Sequence, residues 1–301
     1  MLIQWYPGHM HKACKDIKQA LPNIDILIEI LDARIPYSSQ NPILAQLRAE
    51  KPTIRILGKT DLADPATTRL WQDHLEQEKT VKTLAVTTQQ PETIKRIITL
   101  CNTMLPEKSA THKVIRTMIV GIPNVGKSTI INILAGRSIA KTGNEPAITK
   151  MQQRIQLSNN LVLSDTPGVL WPNVENRNSG YRLAVTGAVR DTAFQHDHVA
   201  LFALEYLIKV YPDWVKSRFQ LDALPADTIM LFNLIGKMRG CYRSGQQIDA
   251  DKTAKLILAE LRSGKLGRIS LETPQMIAAE MQELAIIQQE KAAKKALRKH
   301  R

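Results

Sequence analysis

The run Gly121-Ile-Pro-Asn-Val-Gly126-Lys127-Ser128 constrains this chain more than any other feature. It matches GxxxxGK[ST], follows the apolar stretch Val114–Val120 and precedes a helical pattern at Lys127–Ala135. That strand–turn–helix context is the one in which the pattern binds phosphate. Glycine lets the backbone curl so that successive N–H groups, from Asn124, Val125, Gly126, Lys127, Ser128 and Thr129, converge on phosphate oxygens. Lys127 is expected to bridge the β- and γ-phosphates as a catalytic cation, and the Ser128 hydroxyl to coordinate Mg²⁺. The alternative is a plain glycine turn.

Apolar strands alternate with helical patterns on both sides of this loop. Ile24–Leu31, Thr53–Leu57, Val81–Val86 and Val114–Val120 read as strands, with Met151–Leu157 and Leu161–Ser164 as a hairpin. Pro42–Glu50, Ala66–Glu78 and Glu92–Met104 read as helices between the first four, and Leu105–Lys113 as a polar link. Such alternation signals a mostly parallel sheet flanked by helices. From Tyr181 onward the pattern is helical, at Val199–Val210, Ala226–Met238, Asp251–Arg262 and Pro274–Lys295. A chain of 301 residues usually exceeds one core. The expected organisation is therefore an α/β domain over residues 1–178 and a smaller all-helical domain over 179–301.

The order of the remaining motifs narrows the class. Asp165-Thr-Pro-Gly168 follows the strand at Leu161–Ser164. Its carboxylate can hold the Mg²⁺ shell and its Gly168 N–H can sense a γ-phosphate. Thr149, in the polar loop between the two motifs, is expected to add its hydroxyl to the metal and to catalysis. A guanine-specific site needs an aspartate that accepts from N1–H and N2–H₂ of the base, carried in an NKxD motif. None occurs after residue 168, but Gly58-Lys59-Thr60-Asp61 closes the second strand, upstream of the phosphate loop. Thr87-Thr88 follows the third strand, where a base-supporting turn belongs. The sheet thus begins at the strand that ordinarily follows the DxxG half, which makes the domain a circularly permuted P-loop GTPase.

On these residues the chain resembles the circularly permuted GTPases of ribosome assembly, in particular the ribosome biogenesis GTPase A family. The likeness runs over essentially the full length, and it is most specific at Trp5-Tyr-Pro-Gly-His9-Met10-His-Lys-Ala13, Gly121–Thr129 and Asp165–Gly168. It implies GTP as substrate, docking on rRNA and proteins of the large (50S) subunit late in assembly with GTP bound, release on hydrolysis, and a helical RNA-binding C-terminal domain. It also implies slow turnover alone and stimulation by the subunit. A monomer is expected, and the unpaired cysteines and the N-terminus, which has no targeting pattern, lead to the expectation of a cytoplasmic location.

Two positions depart from the family pattern. Gly58 stands where the asparagine of NKxD belongs, removing an amide that braces base and phosphate loop, and Ala147 stands where the loop before Thr149 carries glycine. Val169 follows DxxG where many GTPases place a glutamine that orients the attacking water. The resemblance assigns that task to His9, whose imidazole offers two ring nitrogens to orient or accept from water. The bland reading is that His9 contacts RNA or packs. Asn124 matches the residue that helps ligate K⁺ in potassium-activated relatives, although an Asn tolerating an unusual torsion explains it equally.

Charge points to the partner. Lys and Arg outnumber Asp and Glu by 41 to 28, and the stretch from Lys237 to Arg301 carries +7 of the net +13. Lys291, Lys294, Lys295, Arg298, Lys299 and Arg301 end the chain without an intervening acid. A polyanion fits this bias best, because each phosphate contact releases counterions. A solvated helix end and an anionic membrane surface are the alternatives. Three widely spaced cysteines support no disulfide framework or zinc site, and no apolar run reaches the length of a membrane span. Two rival functions stand beside the GTPase: an RNA-binding scaffold with a degenerate nucleotide site, motivated by Gly58 and Ala147, and an ATP-dependent kinase or ATPase that would not need Asp61.

Overall fold

A computed structural model describes residues 3–140 and 153–299. Thr149 and Arg301 lie outside the described residues. Six strands form one sheet: β1 (Ile26–Asp32), β2 (Thr53–Gly58), β3 (Val81–Ala85), β4 (Ile115–Gly121), β5 (Gln153–Ser158) and β6 (Leu161–Asp165). Their order is β3-β2-β1-β4-β6-β5, parallel throughout except that β5 pairs antiparallel with β6. β1 and β2 are buried along their whole length, which is why β1 reads as an unbroken apolar run rather than an alternation.

Twelve helices are described: α1 (Gly8–Ala20), α2 (Pro42–Arg48), α3 (Pro65–Leu75), α4 (Pro91–Met104), α5 (Pro106–Ala110), α6 (Lys127–Ala135), α7 (Arg177–Val185), α8 (His196–Val210), α9 (Pro212–Phe219), α10 (Thr228–Met238), α11 (Ala250–Arg262) and α12 (Pro274–Lys299). Side-chain caps start several of them. Asn41 accepts from the Ile43 N–H at α2, and Asp64 accepts from Thr67 at α3.

Three helices were not legible in the chain. α1 precedes the first strand with few apolar positions, of which Met10, Ala13 and Ile17 form a buried stripe. The polar link holds the short α5, and α9 fills the gap after Val210. The expected division at 178/179 falls inside the first turn of α7, whereas residues 166–176 carry no helix or strand. One apolar cluster runs from the sheet into the helical region, through Tyr181, Leu204 and Ile257. A second, around Leu31, Leu57 and Trp71, takes Ile277 from the root of α12.

Candidate functional site

The parallel strands bring their C-terminal ends to one edge, where ligands of α/β folds bind. β4 ends in Gly121 and turns into α6 through Asn124 and Gly126, both with positive φ (57° and 100°). Gly126 sits at the N-cap of α6, so the first-turn N–H groups of that helix face the loop mouth. At Gly121 a Cβ would lie 2.7 Å from the Ile30 carbonyl, a contact that only glycine avoids. The next motif is equally tight, since a Cβ on Gly168 would meet the Pro123 backbone at 2.9 Å and Lys127 Nζ at 3.1 Å. The DxxG turn is therefore pressed directly against the phosphate loop.

Lys127 is buried, with its ammonium donating to the carbonyls of Gly121 (3.2 Å) and Ile122 (3.1 Å). Burial lowers its pKa to about 8, and Asp165 only partly offsets that. Burial likewise raises the Asp165 carboxyl to about 6, against the attraction of Lys127 and the Thr166 N–H. Asp165 Oδ1 is buried and has no hydrogen-bond partner among the described residues. A carboxylate oxygen in that condition suits a cation. No group of three or more His, Cys, Asp or Glu among the described residues forms a metal cage. One carboxylate with a neighbouring hydroxyl is what Mg²⁺ uses when phosphates and water complete its shell. Asp165 and Ser128 are the residues that would hold it.

The other end of the edge carries the base motif. Lys59, itself at φ 61°, extends its ammonium to the Asn124 carbonyl (2.7 Å) and to Asp32 (2.9 Å). Asp32 also takes a bidentate pair from Arg34, at 2.9 and 2.7 Å. Burial opposes ionisation of Asp32, yet the two cations overcome it and hold the carboxyl well below its usual range. Asp61 accepts from the Thr87 hydroxyl at 2.8 Å, which sets its carboxylate at the end of β3. A Cβ on Gly58 would lie 3.6 Å from the Val125 carbonyl, an ordinary contact, so Gly58 is not required by space. Lys59 links the base motif to the phosphate loop in this chain. Asn124 directs its amide nitrogen to the Gly187 carbonyl, 2.8 Å away, just past α7.

His9 stands exposed in the first turn of α1. Its neighbour Met10 is fully buried and accepts the Leu170 N–H at its sulfur, 3.5 Å away. The N-terminal segment is thereby seated on the chain that follows Gly168. Asn41 reaches the same stretch from the loop after β1, donating to the Val169 (3.2 Å) and Leu170 (3.3 Å) carbonyls. Lys291 and Lys294 are exposed on α12, far along the chain from both motifs, and Lys295, Arg298 and Lys299 continue the same helix. Asp32, Arg34 and Asn41 carried no motif by which sequence reasoning could find them. Asp32 closing a buried strand was the one visible signal.

The family model described as "50S ribosome-binding GTPase" matches residues 116–212. The chain is 44% identical over 282 residues to the ribosome biogenesis GTPase A of Priestia megaterium, covering 91% of this chain and 98% of that one. With the protein of the same name in Bacillus cereus it shares 42% over 296 residues, 96% of this chain and 100% of the other. Among solved structures it superposes on GNP-bound YlqF from Thermotoga maritima with a TM-score of 0.67 at 25% identity, covering 88% of this chain and 99% of that one. The GDP-bound structure of the same protein gives 0.64 at 25% identity, over 86% and 99%.

Proposed function

Because the chain belongs to the ribosome biogenesis GTPase A family, we propose that this GTP-binding ribosome-assembly factor hydrolyses GTP late in formation of the large (50S) subunit, docked on rRNA with GTP and released on hydrolysis. The observation that carries this reading is the joining of two motifs 66 positions apart in number, Asp61 and Lys127, at one sheet edge through the Lys59–Asn124 bond. Asp61, set by Thr87, reads the guanine, and Lys127 meets the β- and γ-phosphates from the turn of Asn124 to Thr129. Ser128 and Asp165 hold Mg²⁺, with Thr149 joining them from the loop outside the described residues. The ion supplies charge neutralisation on the phosphates when bound.

Val169 offers no polar atom for the attacking water, so His9, on the segment seated against Leu170, is the residue that orients it. Gly168, pressed on the phosphate loop, is placed to register the γ-phosphate through its N–H. Asn124 helps hold K⁺ beside the phosphates, where the cation would neutralise charge as an arginine finger does. The basic C-terminal helix, with Lys291, Lys294, Lys295, Arg298 and Lys299, meets rRNA phosphates together with Arg301, which lies outside the described residues. The protein acts as a cytoplasmic monomer of two parts, the permuted GTPase core and the helical region.

Turnover of GTP by the purified protein, with and without large ribosomal subunits and in potassium against sodium buffer, tests this reading. Strong stimulation by the subunit is expected, abolished by His9→Ala with GTP binding retained. A negligible rate under every condition, together with undiminished subunit binding, would instead favour the RNA-binding scaffold. Faster turnover in potassium is the result the Asn124 assignment requires.

A further inference from the structure

The turn that carries Asp61 is held in part from within, by the Leu62 N–H on the Lys59 carbonyl (2.9 Å), and in part by the Thr60 N–H on the Val86 carbonyl (3.2 Å). Three of its carbonyls are satisfied by residues about two hundred positions later, in the connection between α11 and α12. The Arg268 guanidinium donates through Nη2 to the Thr60 carbonyl (2.8 Å) and through Nε to the Ala63 carbonyl (3.1 Å). The Ile269 N–H donates to the Leu62 carbonyl at 2.9 Å, and Ser270 Oγ accepts the Asp64 N–H at 3.2 Å. The two residues flanking Asp61 thus have their carbonyls fixed from outside, and the next two backbone groups are fixed by the same strap. The strap is itself anchored: the Leu271 N–H bonds the Arg34 carbonyl at 2.8 Å, and Glu272 accepts the N–H groups of Tyr37 (2.6 Å) and Ser38 (2.9 Å).

This clamping has a chemical consequence. A carboxylate that must take two parallel hydrogen bonds from a guanine edge is useful only if its backbone cannot swivel, because misplacement by about 1 Å forfeits much of such an interaction. β2 fixes the turn on one side only, and Lys59 enters it in a left-handed conformation that is unfavourable for a non-glycine residue. Gly58 offers no side chain to brace it. Planar fork geometry lets one guanidinium hold two carbonyls on either side of Asp61, which a lysine cannot reproduce.

We propose that Arg268, supplied by the helical region, is a positioning residue for guanine recognition, holding the Thr60–Ala63 turn so that Asp61 presents both oxygens to the base. The proposal rests on the GTP-binding reading above and adds a residue from outside the motif set. Arg268 touches no nucleotide in this role; it acts through Asp61. By thermodynamic reciprocity, whatever moves the strap from the helical side changes nucleotide affinity, and nucleotide binding stiffens the strap.

The test is equilibrium binding of GTP, GDP and ITP to the full chain and to Arg268→Ala, Arg268→Lys and Lys265→Ala, with thermal midpoints measured alongside. ITP lacks the 2-amino group, so the GTP-to-ITP ratio reads how well Asp61 is aimed. Arg268→Ala is expected to weaken GTP and GDP by the same factor, roughly fivefold, while shrinking the GTP advantage over ITP at least about threefold. Arg268→Lys falls in between, and Lys265→Ala, which removes a neighbouring positive charge without touching the turn, matches the parent. An unchanged GTP-to-ITP ratio in Arg268→Ala overturns the proposal, whether or not affinity or the thermal midpoint falls. If the parent chain itself does not prefer GTP to ITP, the guanine reading of Asp61 fails first and the proposal falls with it.

Discussion

Lys127 and Asp165 are each charged at neutral pH against the preference of a buried corner. The Asp165 pKa is raised to about 6, so its contribution to stability is present below the unfolded value near 4 and lost as pH rises through 6. Lys127 is lowered to about 8, so its contribution is present above about 10.5 and lost as pH falls through 8. At pH 7 the nucleotide-free fold therefore carries both penalties, which a bound polyphosphate and its cation relieve. The Mg²⁺-dependent part of GTP affinity, measured against EDTA, is expected to be roughly fourfold weaker at pH 5.5 than at 7.5, as Asp165 takes up its proton. Asp165→Asn has nothing to titrate there; if it shows the same step, the assignment is wrong.

Among the elements, the loop after β1 and the helix it starts are as consequential as the phosphate loop. Asn41 uses its oxygen to cap α2 and its amide nitrogen to hold Val169 and Leu170, the residues directly after Gly168. Asn41→Asp separates the two tasks, because it keeps the capping oxygen and loses both donors. We expect a stability loss of about 1–3 kcal/mol from two buried carbonyls left without a donor, and a lower kcat for GTP with KM nearly unchanged. Urea unfolding and steady-state kinetics check the two halves; a fall confined to stability would show that the loop is scaffolding alone. α1 is the complementary case. Its importance lies in where it docks, since Met10 against the Leu170 N–H seats the N-terminal segment on the chain that follows Gly168.

At the scale of the whole molecule, the helical region meets the GTPase core at buried Glu272, which accepts the Tyr37 and Ser38 N–H groups, and Arg182 braces that carboxylate from within the helical region. Arg182 of α7 donates to the Leu271 carbonyl (3.0 Å), pairs with Glu280 of α12 at 2.5 Å, and lies 3.5 Å from Glu272. Glu272 is fully buried, and its pKa is raised by that burial despite Arg182 and the Ser38 donors. Replacing the cation leaves buried acceptors without their partner, which typically costs about 3–5 kcal/mol. Arg182→Met is thus expected to lower the urea midpoint sharply and to split unfolding into two transitions, with near-ultraviolet and far-ultraviolet signals no longer coincident. Coincident transitions with a small shift would mean that the apolar cluster shared by sheet and helices carries the junction by itself.

The class of fold and the phosphate-loop motif were legible in the chain because they depend on local chemistry. A phosphate loop needs its glycines and lysine within eight positions, strands buried on both faces need unbroken apolar runs, and the upstream Lys59–Asp61 motif disclosed the permutation by order alone. The departures at Gly58 and Val169 were also visible, as missing groups. What covers for them was not. The Lys59–Asp32 pair, the Asn41 bridge and the Arg268 strap join positions from 27 to 208 residues apart. They consist of ordinary polar residues with no spacing of their own, and several bond to main-chain carbonyls that any residue could present. Sequence determined which groups could bind a guanine nucleotide; only the tertiary structure decided which residues hold those groups still, because holding depends on distance in space and leaves no periodic trace along the chain.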